Sequence, residues 1–390
     1  MENKNEWRKI KLGEVAEYIS EKINSSILER KNYISTENML PNNNGITLAS
    51  SIPINTKVNK FQEEDILISN IRTYLKKIWK ATFNGGSSND VLIIRKTKNN
   101  ILSKYIYYTL TQDSFFNYAT ATSKGTKMPR GDKDSIMNYE FLLPSLQFQK
   151  KIVKILSDID NKIELNNKIN NNLEEQAELI FNNYFLENSS SNILKEDKLF
   201  ILSKEIICGK TPSTKNKEFY GTNIPFITIP DMHNKIYIDS TERLLSFMGA
   251  DSQKNKYLPI NTICVSCIGT AGLVSLTSKI SQTNQQINSI IPKTKELTYY
   301  IYFLMRNLKD KINLIGASGS TFCNLNKKDF SNILVPIPKD DILKQFYYIC
   351  LPIFENIKNN QIENEKLNNL KNYLLPKLMN GEIDVEKIEL

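Results

Sequence analysis

The stretch QFQKKIVKILSDIDNKIELNNKINNNLEEQAELIFNNYFL, residues 147–186, reads as one helix with a single apolar seam. With Ile152 at heptad position a, Ile159, Asn166, Leu173 and Ile180 also fall at a, and Ile155 and Ile169 at d. Leu156, Ile163, Ala177 and Tyr184 fall at e, so the stripe drifts as an α-helix requires and calls for a partner helix. No Gly or Pro interrupts the run. About 40 residues at ~1.5 Å each make a rod of about 60 Å, a length suited to a spacer.

The partner is written into the same chain. An offset of 194 carries Gly125 to Gly319, Pro144 to Pro338, Lys150 to Lys344 and Ile155 to Ile349 without a gap, and the seam recurs as Phe346, Ile353, Asn360, Leu367 and Leu374. Weaker echoes lie upstream: Tyr33-Ile34-Ser35 with Met39 matches Phe226-Ile227-Thr228 with Met232, and Ile66–Ser69 matches Ile263–Ser266. A period of half the chain is too long for a solenoid and describes two copies of a lobe-plus-helix unit. The second helix is expected from near Asp340 to near Met379, with Gly381 as its C-cap residue and a kink or break at Pro352. Asn166 and Asn360 occupy the same a position near mid-helix. In an antiparallel pair both would lie near a pseudo-twofold axis, either fixing register or standing exposed on a loose seam.

This organisation divides the chain into a lobe at 1–146, a helix at 147–190, a second lobe at 191–338 and a second helix with tail at 339–390. In the first lobe Leu12–Ala16 has a helical pattern, Asp65–Ser69, Val91–Arg95 and Glu140–Leu143 read as strands, and Lys104–Tyr118 reads as aromatic helix. The Ser-rich segment Asn188–Asn192 reads as a flexible joint or turn, after which Ile224–Thr228, Asn261–Ile268 and Ile333–Ile337 are strand-like and Tyr299–Asn307 helical.

The net charge of +9 is unevenly spread: Lys+Arg against Asp+Glu is 21 to 15 over residues 1–147 and 18 to 11 over 191–338, but 5 to 7 over 148–190 and 7 to 9 over 339–390. Both lobes are basic and both helical segments slightly acidic. That alternation suits two surfaces for a polyanion, although charge alone equally fits scattered surface lysines. Five cysteines, all in the second half, together with no apolar run of membrane-spanning length and no signal-peptide stretch in MENKNEWRKIKLGE, point to a reduced cytoplasmic protein without a membrane segment.

Catalytic constellations are thin. His233 stands alone, and Cys264-Val265-Ser266-Cys267 has C-x-x-C spacing but lacks a second pair and overlaps a strand. Gly209-Lys210-Thr211 resembles the end of a phosphate loop, but position 204 is Lys instead of Gly; Pro230-Asp231 lacks the lysine that would complete a nuclease motif. There is no Asn-Pro-Pro, Asp-Pro-Pro or G-x-G-x-x-G. The chain reads as non-catalytic, with no metal or cofactor of its own.

Leu143-Pro144-Ser145-Leu146-Gln147-Phe148-Gln149-Lys150-Lys151-Ile152, Lys210-Thr211-Pro212-Ser213 with Ile224–Ile227 and Asp231-Met232, Ser318-Gly319-Ser320-Thr321, and Leu374-Leu375-Pro376-Lys377-Leu378-Met379-Asn380-Gly381-Glu382-Ile383 occur in duplicated order along the whole chain. Together they resemble the DNA-specificity subunit of type I restriction-modification systems. The resemblance implies an α+β fold: two similar mixed α/β target recognition domains separated by two long helices packed as an antiparallel coiled coil. It further implies that each lobe reads half of an interrupted double-stranded DNA target. Two modification (methyltransferase) subunits would dock on the helices and two restriction (ATPase/nuclease) subunits would join them. S-adenosylmethionine, ATP and Mg would be bound by those partners.

For DNA contact the candidate residues are Ser123, Lys124, Gly125, Thr126, Lys127 and Arg130 in one loop and Ser318, Gly319, Ser320 and Thr321 in its repeat. Arg72, Thr73, Tyr74, Lys76 and Lys77 follow a strand and offer both phosphate and base-edge contacts; Lys210, Thr211 and Ser213 open the second reader, and Asn284, Gln285 and Gln286 suit adenine. Two other classes stay open: an enzyme with a divergent site, active by itself, and a coiled-coil scaffold binding nucleic acid without sequence preference.

Overall fold

A computed structural model describes residues 7–316 and 323–387. The chain divides into two compact units, Met1–Asn161 with Leu367–Leu390 and Lys162–Lys366. The two long helices, α1 (Leu146–Asn182) and α2 (Asp340–Met379), each contribute to both units.

The first unit is built on an antiparallel sheet ordered Ala16–Tyr18, Val91–Lys96, Ile66–Ser69, Ile78–Lys80. Val91 to Ile94 and Ile66 to Ser69 are buried at every position, as uninterrupted apolar runs demand when both faces of a sheet are covered. Helices Ser103–Leu110 and Asp113–Ala121 cover one face with Tyr105, Ile106, Phe115 and Phe116. A smaller sheet sets Lys57–Phe61 between Lys22–Asn24 and Gly85–Ser87, and the short strand Tyr33–Ile34 pairs parallel to the last.

The second unit repeats this plan. Ser203–Cys208, Ile287–Pro292, Ile263–Ser266 and Val274–Thr277 form the same antiparallel order, with Tyr237–Ile238 added in parallel at the edge. The parallel pair also recurs: Tyr33 lies opposite Gly86 and Ile34 opposite Ser87, as Phe226 lies opposite Gln282 and Ile227 opposite Thr283. Even the capping chemistry returns, since Asn38 Oδ1 accepts from the Ser35 amide at 2.6 Å where Asp231 Oδ2 accepts from the Thr228 amide at 2.8 Å.

Each unit takes core side chains from the start of one long helix and the end of the other. Phe148, Ile152 and Leu156 of α1 enter the first core beside Leu375, Leu378 and Met379 of α2. In the second, Phe346, Cys350, Phe354 and Ile357 of α2 meet Ala177, Phe181 and the following Phe185. The helices run antiparallel in both, with Asp160 paired to Lys371 at 2.6 Å in the first unit and Lys162 to Glu363 at 3.2 Å in the second. Buried Gln149 pins the start of α1 by donating to Asn100 and Pro144 carbonyls and accepting from the Leu102 amide. At the other end of the repeat, Gly381 at φ +69° lets the Glu382 amide reach the Lys377 carbonyl at 2.9 Å and close α2.

Several expectations need correction. Leu12–Glu14 is a single 3-10 turn and Ala16–Tyr18 a strand, because pairing with Val91–Lys96 overrides a short helical pattern. Of the two readings of the Ser-rich segment, joint or turn, the structure has the turn: Ser189–Asn192 is a helical turn leading into strand Ile193–Lys198, which pairs with Leu334–Pro338. Helix α2 is not broken at Pro352, which is exposed along with Tyr348, so water can serve the carbonyl that the proline leaves unbonded. Ile169, assigned to d, is exposed and Asn170 is buried in its place, since the stripe drifts further than a strict heptad allows; Ile155, Leu173, Ile180, Ile353, Leu367 and Leu374 are only half-buried. Asn166 and Asn360 do not meet. Asn166 donates to Asn364 Oδ1 at 2.9 Å and Asn360 donates to Asn170 Oδ1 at 2.9 Å, two bonds that exchange under the 194-residue offset.

Asp239, only 6% exposed at the end of the edge strand, gives the second unit a pH signature. Burial raises its carboxyl pKa from 3.8 to about 6, against the pull of Lys235. A raised acid is disfavoured when charged, so this group's contribution to stability is greatest below about pH 4, falls between about pH 4 and 6, and is a full penalty above. Asp239→Asn should therefore raise unfolding free energy at pH 7 by about 2–3 kcal/mol and flatten its decline from pH 4 to 6. Denaturant titrations of both proteins across that range measure it.

Candidate nucleic-acid interface

The first lobe brings its two candidate loops together. The Arg72 amide donates to the Pro129 carbonyl at 2.9 Å, the Gly131 amide to Asn70 at 3.1 Å, and the Thr73 and Thr120 hydroxyls lie 2.9 Å apart. Lys124 and Arg130 exchange backbone bonds of 2.8 and 2.9 Å, closing the second loop around Gly125 at φ +94°. Thr73 is buried, whereas Arg72, Tyr74, Lys124, Gly125, Thr126, Lys127 and Arg130 are exposed. Ser123 is half-buried and donates to the Thr120 carbonyl.

Carboxylates restrain most of the local cations. Lys76 is paired with Asp113 at 2.7 Å, Arg130 with Asp90 at 3.1 Å, and Lys124 with Asp132. That last contact and the Ser135 amide hold the Asp132 carboxyl down at about 2. Lys77 donates to the Thr36 carbonyl at 2.6 Å, and partial burial lowers its pKa, with Arg72 repelling it further. Asn42 and Asn43 brace the turn from the other side: their amides donate to the Leu75 and Lys76 carbonyls at 2.9 Å each.

In the second lobe, Lys210, Thr211 and Ser213 lie beside the segment Thr283–Gln286. The Lys210 amide donates to the Thr283 carbonyl at 2.9 Å and the Thr211 hydroxyl to Gln285 Oε1 at 2.7 Å. Lys210, Ser213 and Gln285 are exposed. Asn284, expected to read adenine, is instead 8% exposed, with its Oδ1 accepting the Gln286 amide and its amide group donating to Gln286 Oε1. Its two donor-acceptor groups are thus spent on the turn that presents Gln285. Ser318, Gly319, Ser320 and Thr321 lie outside the described residues. The frame that flanks them is described, and it matches the first lobe: Ile268 opposes Asn324 as Ile71 opposes Arg130, and the Leu325 amide bonds Cys267 as the Gly131 amide bonds Asn70.

Two lobes with one sheet order and one loop frame are each matched by one family. The family described as "Type I restriction modification DNA specificity domain" matches residues 4–175 and again 204–372. The chain belongs to this family. The specificity subunit of the type I restriction enzyme HindI from Haemophilus influenzae is 30% identical over 97% of this chain and 100% of its own length. That of MjaIX from Methanocaldococcus jannaschii is 28% identical over 75% of this chain and 71% of its own. The crystal structure of the type I S subunit from M. genitalium has the same fold, with a TM-score of 0.58 at 16% identity, covering 97% of this chain and 98% of that one. The protein is thus a specificity subunit of a type I restriction-modification system, a class whose work is DNA sequence recognition.

Within this specificity subunit Cys264, Cys267 and Asp231 have structural duties. Cys264 and Cys267 are buried in and beside a core strand, and burial pushes both thiols up to about 12. Asp231, in the short helix Ile229–Met232, accepts from the Thr228 and Glu242 amides, and His233 is exposed just past that helix. Among the described residues no group of His, Cys, Asp or Glu is placed to hold a metal, and no helix is long and apolar enough to cross a membrane.

Proposed function

We propose that lobes 1–146 and 191–338 each read one half of an interrupted double-stranded DNA target, while segments 147–190 and 339–390 set the spacing between the halves. The observation that supports this most is the shared loop frame, Ile71 with Arg130 and Ile268 with Asn324, which offers two equivalent reading sites on one chain. Two modification subunits dock on the helical segments, whose slight acidity suits protein more than DNA, and two restriction subunits join that core. The chain itself performs no chemistry. The modification subunits bind S-adenosylmethionine and methylate adenine, and the restriction subunits use ATP and Mg to translocate and cut, in the cytoplasm.

Phosphate contacts come from the exposed cations and hydroxyls of the paired loops, among them Lys127, Thr126, Lys210 and Ser213; base contacts come from Arg72 and Gln285. Methylome sequencing of a strain expressing this gene with and without the neighbouring modification gene tests the reading. Adenine methylation at one bipartite motif with a fixed gap, dependent on both genes, is the expected result. Methylation indifferent to this gene would leave a scaffold without sequence preference, and methylation by this chain alone would reveal a catalyst.

A further inference from the structure

We infer that Arg72 is the side chain by which the first lobe demands a guanine, and that the second lobe makes no equivalent demand. The inference rests on the bipartite reading above and names one of its specificity determinants.

Arg72 has a left-handed backbone at φ 53°, and Lys76, four residues on, another at φ 51°. Neither is glycine, and such residues persist in this region only where their surroundings hold them there. The restraint is visible on both sides of the turn. The Pro129 carbonyl takes the Arg72 amide, and Asn42 and Asn43, themselves at φ 57° and 60°, bond the Leu75 and Lys76 carbonyls. The segment is therefore a fixed platform whose first residue is an arginine.

Charge pairing then separates that arginine from its neighbours. Of the six cations in the two loops, Lys76, Lys124 and Arg130 are tied to carboxylates and Lys77 to a carbonyl. Arg72 and Lys127 are exposed, and among the described residues neither side chain makes a hydrogen bond or ion pair. A lysine offers a point charge, which suits phosphate. A guanidinium offers a planar fork that matches O6 and N7 of guanine in the major groove, and a fixed backbone is what such geometry needs.

The repeat supplies the contrast. Ile71 and Arg130 correspond to Ile268 and Asn324, so the residue after Ile268 stands where Arg72 stands; it is Gly269, at φ +75°. The backbone conformation is kept and the side chain is absent. The turn is one device in both lobes, armed in the first and bare in the second.

The test is the methylome of a strain expressing the full chain with its modification subunit, compared with Arg72→Ala and Arg72→Lys. In Arg72→Ala, one guanine of one half-site should become degenerate, its preference over other bases falling by at least tenfold, with the other half-site and the gap unchanged. An unchanged motif overturns the proposal. Should Arg72→Ala abolish methylation altogether, Arg72→Lys decides: a motif relaxed at that one guanine supports base reading. The wild-type motif would assign Arg72 to phosphate, and loss of methylation with Lys as well would assign it to folding; either overturns the proposal. A wild-type strain with no bipartite motif would overturn the bipartite reading first, and this inference with it.

Discussion

Phe346→Ala is expected to destabilise the second unit by about 3–5 kcal/mol, the usual cost of emptying a buried aromatic site. Phe346 is fully buried, with ring centroids of Phe185, Phe181 and Phe303 at 5.1, 6.0 and 6.4 Å. Phe181 comes from the end of α1, Phe185 from the turn Asn183–Glu187 that follows it and Phe303 from helix Leu297–Asn307, so the ring sits where α2 meets all three. Tyr348→Ala, two residues along α2 at a position 59% exposed, should change stability by about 0.5 kcal/mol or less. Both tryptophans, Trp7 and Trp79, belong to the first unit, so their fluorescence follows that unit alone. Circular dichroism follows both units. The dichroism transition of Phe346→Ala should move to lower denaturant by more than the fluorescence transition does. Equal, small shifts in the two variants would mean that the start of α2 is only a spacer and not part of the lobe's core.

That distinction marks where the sequence could be read and where it could not. The strands Val91–Lys96, Ile66–Ser69 and Glu140–Leu143 and the extent of α2 followed from runs and periods, because local pattern and tertiary burial agree there. The 194-residue offset also carried more information than any motif: it pairs Asn166 with Asn360 as equivalents, and the bonds Asn166–Asn364 and Asn170–Asn360 obey it. Strands Arg8–Lys11 and Ile193–Lys198 escaped notice because they are charged and exposed along much of their length. They exist through partners more than 120 residues away, Glu140–Leu143 and Leu334–Pro338.

Among the candidate DNA contacts, residue type was legible and availability was not. Arg72 and Arg130 look alike as text, but only Arg130 has Asp90 beside it. Asn284 and Gln285 are neighbours of similar chemistry, yet one is buried in its own turn and the other exposed. Asp90, Asp113 and Asp132, which restrain the cations, carried no sequence signal beyond their charge. They become recognisable only when the loops are folded against one another.

Gly209→Ala should produce the second large effect, and on recognition as much as on stability. A Cβ at this position would fall well inside contact distance of the Asn284 carbonyl oxygen and of the carbonyl and hydroxyl oxygens of Thr283. Two of those atoms are backbone, in or next to the short strand Gln282–Thr283 that pairs with Phe226–Ile227, so a change of rotamer cannot make room. One or both segments must shift. The movement would break the bond from the Lys210 amide to Thr283, strain the 2.8 Å bond from Gln253 to the Lys210 carbonyl, and part Thr211 from Gln285. Overpacking of about 1–3 kcal/mol together with hydrogen bonds worth about 1 kcal/mol each gives an expected loss of about 3 kcal/mol or more. Because Lys210, Thr211, Ser213 and Gln285 are the proposed readers of the second half-site, methylation at the bipartite motif should be lost with them. Gly45→Ala is the matched control: its φ of +81° strains the backbone, but nothing lies within 4 Å of the added carbon. That variant should lose only about 1 kcal/mol and keep the motif intact. Wild-type methylation by Gly209→Ala would mean that the 209–213 and 283–286 segments can separate without consequence, and so do not form one reading surface.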